Sequence, residues 1–335
     1  MRVYFDLENL ISYVKSYSQP RFEECNIMLK KQVDISFNFT KDDLRGYLND
    51  VDLQAWLTKM TEGIECSQDY ENPEFPQRPL KSNTYKSFDK EQLSSVYLLN
   101  DVRMQMLIDG GNLLWAKVGD EVSVLSKLIV AEDGCGFDQP INARQLKNWN
   151  ELDKYLTPNT DIILVDRYVT YDENLFDRNI CSLLSTICGK RQAPAGPVNI
   201  VIFTQYADSG KGLPLDSPQW AKLYKKIKEA VSKQSEKKIE TNVTFVLRRN
   251  LSEHDRTIIT NYQIIESGPT FNYFGKNGDN VTNGRHLNIQ SVARKSYRDR
   301  AEETLVDLQK IIDNVNRLNN PDLIKFDKKS NFLKF

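Results

Sequence analysis

Short runs of consecutive apolar residues alternate along this chain with stretches whose apolar residues recur every three or four positions, the pattern of strands interleaved with helices. Asp161-Ile-Ile-Leu-Val-Asp166 reads as a buried strand that ends in polar residues, Asp166 and Arg167. From Asp172 to Ile187, residues Leu175, Ile180, Leu183, Leu184 and Ile187 fall at helical spacing, and Val198 to Phe203 is again a strand. A Lys-rich helix from about Pro218 to Lys238 precedes the strand Asn242 to Arg248. Thr257 to Thr260 and Gln263 to Ile265 are the two arms of a hairpin closed by Gly268 and Pro269. The order β-α-β-α-β-β predicts an α/β layered domain with its polar strand ends on one edge.

The first 140 residues read as a separate α+β domain. Met1 to Asp6 is a strand, Leu7 to Ser16 and Arg21 to Lys31 are helical, Thr40 to Asp43 caps a helix through Leu48, and Val51 to Met60 is another helix. Three prolines between Ser67 and Lys90 mark a long surface loop. Val102 to Ile108, Leu113 to Lys117 and Val122 to Leu125, separated by turn residues, predict an antiparallel meander. A helix from Asn142 to Leu156 then leads into the second domain, and Ala293 to Leu318 is an amphipathic helix suited to core packing or to pairing with a partner. The tail, Phe326 to Phe335, is basic and aromatic.

Charge sharpens this division. Residues 1–140 hold 15 Lys and Arg against 23 Asp and Glu, and residues 141–335 hold 30 against 23, so a net charge of −1 conceals halves of −8 and +7. In the basic half Lys222, Lys225, Lys226, Lys228, Lys233, Lys237 and Lys238 share one helix, with Arg248, Arg249 and Arg256 on adjoining strands. Arg285, Arg294, Lys295, Arg298 and Arg300 form a second basic group. Such clusters suit a polyanion, nucleic acid being the commonest, although a solvated helix face explains the lysine run equally well. The acidic half of another copy or partner is an alternative target.

His254-Asp255-Arg256 and the residues after it, through Asn261 to Gly268, read H-x-R-x4-N-x6-G. This resembles the H-x-K-x4-D-x6-G motif of the phospholipase D superfamily, and with the strand order the resemblance covers residues 141–290. It implies that His254 is the nucleophile on phosphorus, that Arg256 holds a phosphate oxygen, and that Asn261 stands where the family's Asp orients a histidine. A guanidinium grips phosphate at least as well as Lys, but Asn261 has no charge with which to stabilise an imidazolium. The family's reaction needs a second His as general acid. The only other histidine, His286, lacks the motif, so activity implies a homodimer or a larger complex that brings two His254 together.

The expectation is therefore a phosphodiester-binding protein, with catalytic His254, Arg256 and Asn261, and with Arg167, Lys225, Lys228, Arg248, Arg249 and Arg285 contacting phosphate or nucleic acid. Asp166 and Arg167 supply the neighbouring strand end. A metal-independent nuclease without cofactor, in microbial defence or nucleic-acid processing, is one form. An inactive docking module for a protein, nucleic acid or phospholipid is the other, since certain non-catalytic members carry His-Asp-Arg and only bind. A different enzyme is hinted at by Phe5-Asp6-Leu-Glu8-Asn9 and Ile108-Asp109-Gly-Gly-Asn112, which resemble the strand-end D-x-x-N of PIN/NYN nucleases and would imply magnesium or manganese. The plainer reading of the same residues is a helix cap and a hairpin turn.

Several classes are excluded. There is no phosphate-binding G-x-x-x-x-G-K-[ST] loop, dinucleotide fingerprint or G-x-S-x-G elbow, and Ser209 to Gly212 reads as a plain basic loop. Cys25, Cys66, Cys135, Cys181 and Cys188 form no C-x2-C pair, which disfavours zinc and suits a reducing compartment. No run reaches transmembrane length, and the chain enters a strand rather than a signal peptide, so a cytoplasmic protein is expected.

Overall fold

A computed structural model describes residues 1–63, 65–70, 92–100, 113–132, 136–189, 197–207, 212–233, 240–249, 251, 256–268, 270–282, 286–318 and 320–327. The chain divides into two compact units. Unit 1 comprises Met1–Phe137 with Ser291–Arg300, and unit 2 comprises Asp138–Gln290 with the chain from Ala301. The break falls close to the composition shift, but the return of Ser291–Arg300 to unit 1 corrects the simple split at 140. Its cause is Arg298, a buried guanidinium that donates to the carbonyls of Val292 (3.0 Å), Ala293 (3.1 Å) and Gln32 (3.0 Å). Lys295 N also donates to the Gln32 side chain at 3.0 Å.

Unit 1 runs β1 (Arg2–Phe5), α1 (Leu7–Val14), α2 (Phe22–Lys31), β2 (Asp34–Phe37), α3 (Val51–Thr61), β3 (Gln68–Asp69), β4 (Val96–Leu98), β5 (Leu114–Ala116) and α4 (Glu121–Leu125). Its sheet has the order β3-β2-β1-β4-β5, and all four pairings are parallel. The α+β and meander expectations are thereby corrected: this is α/β, because parallel neighbours need crossover connections that a hairpin cannot supply. Val122 to Leu125 is helical rather than a strand. The Glu121 carboxylate folds back onto Gly119 N (3.1 and 3.0 Å) and also takes Asn9 Nδ2 (2.9 Å) and Ser12 Oγ (3.2 Å). The surface loop expected from Ser67 to Lys90 is corrected at its start, where Gln68–Asp69 form β3; residues 71–90 lie outside the described residues, as do Val102 to Ile108 and Asp109 to Asn112.

The helices α1, α2 and α3 form where the sequence places them. Thr40 and Asp43 cap each other reciprocally, and the turn they open is a short 3-10 helix, Asp43–Tyr47. Asp50 caps α3 by accepting from Leu53 N at 3.1 Å. Asp50→Ala should therefore cost about 1 kcal/mol, read as a lower urea midpoint at unchanged slope. Beneath the sheet, Asn26 Oδ1 accepts from both Tyr13 Oη and Trp56 Nε1 at 2.9 Å, which satisfies two large buried aromatic side chains with one amide.

Unit 2 runs β6 (Asp138–Asn142), β7 (Asp161–Val165), α5 (Glu173–Phe176), a π-helical turn (Asp177–Cys181), α6 (Ser182–Cys188), β8 (Val198–Gln205), α7 (Gln219–Lys233), β9 (Thr241–Arg248), β10 (Arg256–Thr260), β11 (Gln263–Ser267) and β12 (His286–Ser291). The helix α8 (Lys295–Arg317) and β13 (Ile324–Phe326) follow. The mixed sheet has the order β13-β9-β8-β7-β10-β11-β12-β6, with β7, β8 and β9 parallel and β10 antiparallel to both β7 and β11. The expected helix from Asn142 to Leu156 is corrected to the end of β6 plus two 3-10 segments, Ala143–Gln145 and Trp149–Tyr155. Asn142 and Asn148 each accept from an amide two residues on, at 3.2 and 3.0 Å, and these local bonds compete with a continuous helix.

Candidate phosphate-binding site

Because β7, β8 and β9 are parallel and in register through Val165, Phe203 and Val246, their carboxyl ends share one edge of the unit 2 sheet. The antiparallel β10 begins at that edge, with Thr257 opposite Val165. Topology thus gathers residues just after β7 and β8, those at the end of β9, and Arg256 at the start of β10.

Asp166 is fully buried there. Its carboxylate accepts from Tyr168 N (2.8 Å), Thr270 Oγ1 (3.0 Å) and Phe271 N (3.0 Å), and Arg256 Nε lies 3.9 Å away. Burial pushes the Asp166 carboxyl above the ordinary range, against the lowering pull of these hydrogen bonds and of Arg256. The carboxylate holds the loop after β11 to the end of β7. Asn179, on the π-helical turn, reinforces that loop by pairing with both main-chain groups of Phe274, at 2.9 and 2.8 Å.

Arg256 is only 4% exposed, and its guanidinium lies over the Tyr168 ring at 4.8 Å. Arg167 lies over the same ring at 4.5 Å. The buried Nε atoms of both arginines lack a hydrogen-bond partner among the described residues. Among the described residues Asp166 is the one carboxylate that forms an ion pair with either guanidinium, and two guanidiniums clustered on one ring suit an anion. Tyr171, packed edge-on against Tyr168 at 4.5 Å, is 40% exposed.

Of the residues expected at the site, Asp166, Arg167 and Arg256 come together, and Arg248, the last residue of β9, stands at the same edge with Arg249 after it. Asn261 does not join them. It lies in the two-residue turn after β10, roughly 16 Å from Arg256 at strand rise. Its Oδ1 accepts from Thr160 N (2.8 Å) and Asp161 N (3.2 Å), and its Nδ2 donates to Thr160 Oγ1 (2.9 Å), so it caps the opposite end of β7. Lys228 donates to Tyr224 Oη (3.0 Å) and lies 3.8 Å from Asp327, whose carboxylate also takes Val243 N near the amino end of β9. Its position is thus away from the Arg256 edge. Lys225 is exposed on α7, and Lys226 pairs with Asp177 at 2.7 Å. His254, Asp255, Arg285, Lys237 and Lys238 lie outside the described residues. The reading of strands and charges missed Tyr168 and Tyr171, although the alternation Arg167-Tyr168-Val-Thr-Tyr171 at a strand end was its signal.

In unit 1 a second polar group stands at the carboxyl ends of β1, β2 and β4. Asp6 accepts from Asn38 Nδ2 and from Asn100 N (2.8 Å), and Asn100 Nδ2 donates to Glu8. This is the edge at which open parallel sheets take ligands. Two carboxylates side by side suit a hard divalent cation in kind. Among the described residues, however, no three Asp, Glu, His or Cys come together as a metal site, and amide groups already occupy oxygens of both carboxylates. Asp101 and Asp109 lie outside the described residues.

None of Cys25, Cys66, Cys181 and Cys188 forms a disulfide, and Cys135 lies outside the described residues. No helix among the described residues is long and apolar enough to cross a membrane. Compared with known proteins, the chain matches no family model and no curated protein.

Proposed function

We propose that unit 2 is a phospholipase D-like domain that binds the phosphodiester backbone of nucleic acid at the edge where β7 ends and β10 begins. The observation that carries this reading is the convergence of Arg167 and Arg256 on Tyr168, with Asp166 beside Arg256. Arg248 and Arg249 extend the positive edge, where each phosphate contact would release counterions and make binding weaken steeply with salt. Arg256 is partly neutralised by Asp166, which favours binding over a demanding chemical step.

Hydrolysis at this edge would require His254, two residues before Arg256, to attack phosphorus with loss of an alkoxide. The alkoxide would take a proton from His254 of a second copy, and water would then cleave the phosphohistidine. The experiment is incubation of labelled DNA and RNA with the protein in EDTA, beside His254→Ala. The docking form of the proposal expects retained binding and no cleavage. EDTA-resistant cleavage lost in His254→Ala would establish the nuclease form, and absence of binding by the wild type would refute both.

The parallel sheet of unit 1, with Asp6 and Glu8 at its carboxyl edge, favours a second reading, a PIN/NYN-like metal-dependent nuclease. Cleavage that appears only with magnesium or manganese and is lost in Asp6→Asn would support it. Metal-dependent cleavage untouched by Asp6→Asn would remove it.

A further inference from the structure

We infer that this edge is built for single-stranded nucleic acid, with a base stacked on Tyr171. The inference rests on the phosphodiester-binding reading and adds that the nucleic acid is single-stranded. A site for phosphate alone needs cations; the edge of unit 2 also carries rings. Tyr168 is half-buried under the Arg167 and Arg256 guanidiniums, and Tyr171 stands edge-on to it with two-fifths of its surface in solvent. Just after β8, Tyr206 is half-buried, held by its amide to the Arg248 carbonyl at 3.0 Å.

The ring of Tyr171 is braced. The turn Asp166 to Tyr171 is closed by main-chain bonds from Val169 N to the Asp166 carbonyl (3.4 Å) and from Tyr171 N to the Tyr168 carbonyl (3.1 Å). On another side is Gly212, whose φ of +110° suits glycine, and where an added Cβ would come within 3.8 Å of the Tyr171 ring. A braced, exposed ring beside guanidiniums is the arrangement on which unpaired bases stack while cations hold the backbone. In a duplex the faces of the bases are already stacked on one another, and a phosphoinositide headgroup has no aromatic face. Both would use the arginines and leave Tyr171 idle.

The test is fluorescence anisotropy of the full chain with a labelled oligothymidine single strand, a duplex of equal length, and vesicles containing a phosphoinositide. The wild type should bind the single strand most tightly. Tyr171→Ala should weaken that binding roughly tenfold, as loss of one stacked base does, and leave its salt dependence and the duplex affinity unchanged. Tyr171→Phe should retain it. Arg167→Ala should weaken single strand and duplex alike and reduce the salt slope by about one. Equal binding of both nucleic acids, or indifference to Tyr171→Ala while Arg167→Ala still weakens binding, overturns the stacking inference alone. Binding to vesicles only overturns nucleic acid as the ligand, and failure to bind all three probes overturns the phosphodiester reading with it.

Discussion

Arg256→Met is expected to destabilise the protein by about 3–5 kcal/mol, because it strands the fully buried Asp166 carboxylate without its counter-charge. For a chain of this size the melting temperature should fall by roughly 10 °C. The loss carries a pH signature. Burial already holds the Asp166 carboxyl above its ordinary range, and Arg256 is one of the causes that oppose the rise. Removing Arg256 raises it further. Between the unfolded and folded values the native state then binds more protons than the unfolded state, so stability falls as pH rises through that window. The deficit should accordingly shrink on acidification. Asp166→Asn in the same background should recover part of it, since an amide needs no counter-charge but has one acceptor oxygen where the carboxylate uses two. Urea unfolding from acid to neutral pH decides the matter, and a loss that does not vary with pH would contradict the ion-pair account.

Asn261→Ala should cost about 2–5 kcal/mol, because the buried amides of Thr160 and Asp161 both lose their acceptor. Polyanion binding should be unchanged once the variant is folded, since Asn261 caps the far end of β7. Asn261→Asp, the residue of the resembling motif, keeps an acceptor for both amides but puts an uncompensated carboxylate at a fully buried position beside Asp161, so at neutral pH it should cost at least as much as Asn261→Ala. Unfolding midpoints paired with oligonucleotide anisotropy give both readouts. Loss of binding in folded Asn261→Ala would return this residue to the site.

The central strands of unit 2, β7 to β11, and its helices from Asp172 on were legible because their signals are local, whereas the outer strands β6, β12 and β13 were not read. Buried parallel strands read as apolar runs, as in Ile162 to Val165, and an amphipathic helix repeats its apolar face, as at Trp220, Leu223, Ile227 and Val231. Where side chains compete with the backbone, the same reading failed. Asn142 and Asn148 broke an expected helix into 3-10 segments, and the segment expected as a strand at Val122 to Leu125 is α4. The direction of the strands in unit 1 was not legible either, because parallel and antiparallel pairing are set by long crossover connections rather than by strand composition.

By itself the sequence determined the α/β class of unit 2, the two-part division of charge, the positions of most helices and of the central strands of unit 2, and the grouping of Asp166, Arg167 and Arg256 at strand ends. Only the tertiary structure decided what those residues do. It returned Ser291–Arg300 to unit 1 through the contacts of Arg298, moved Asn261 from the site to a cap, and added Tyr168 and Tyr171 beside the arginines. The physical reason is that a motif fixes spacing along the chain, whereas partners are fixed by register. Once β10 pairs with β7 antiparallel, Arg256 must stand at the carboxyl end of β7 and Asn261 at its amino end.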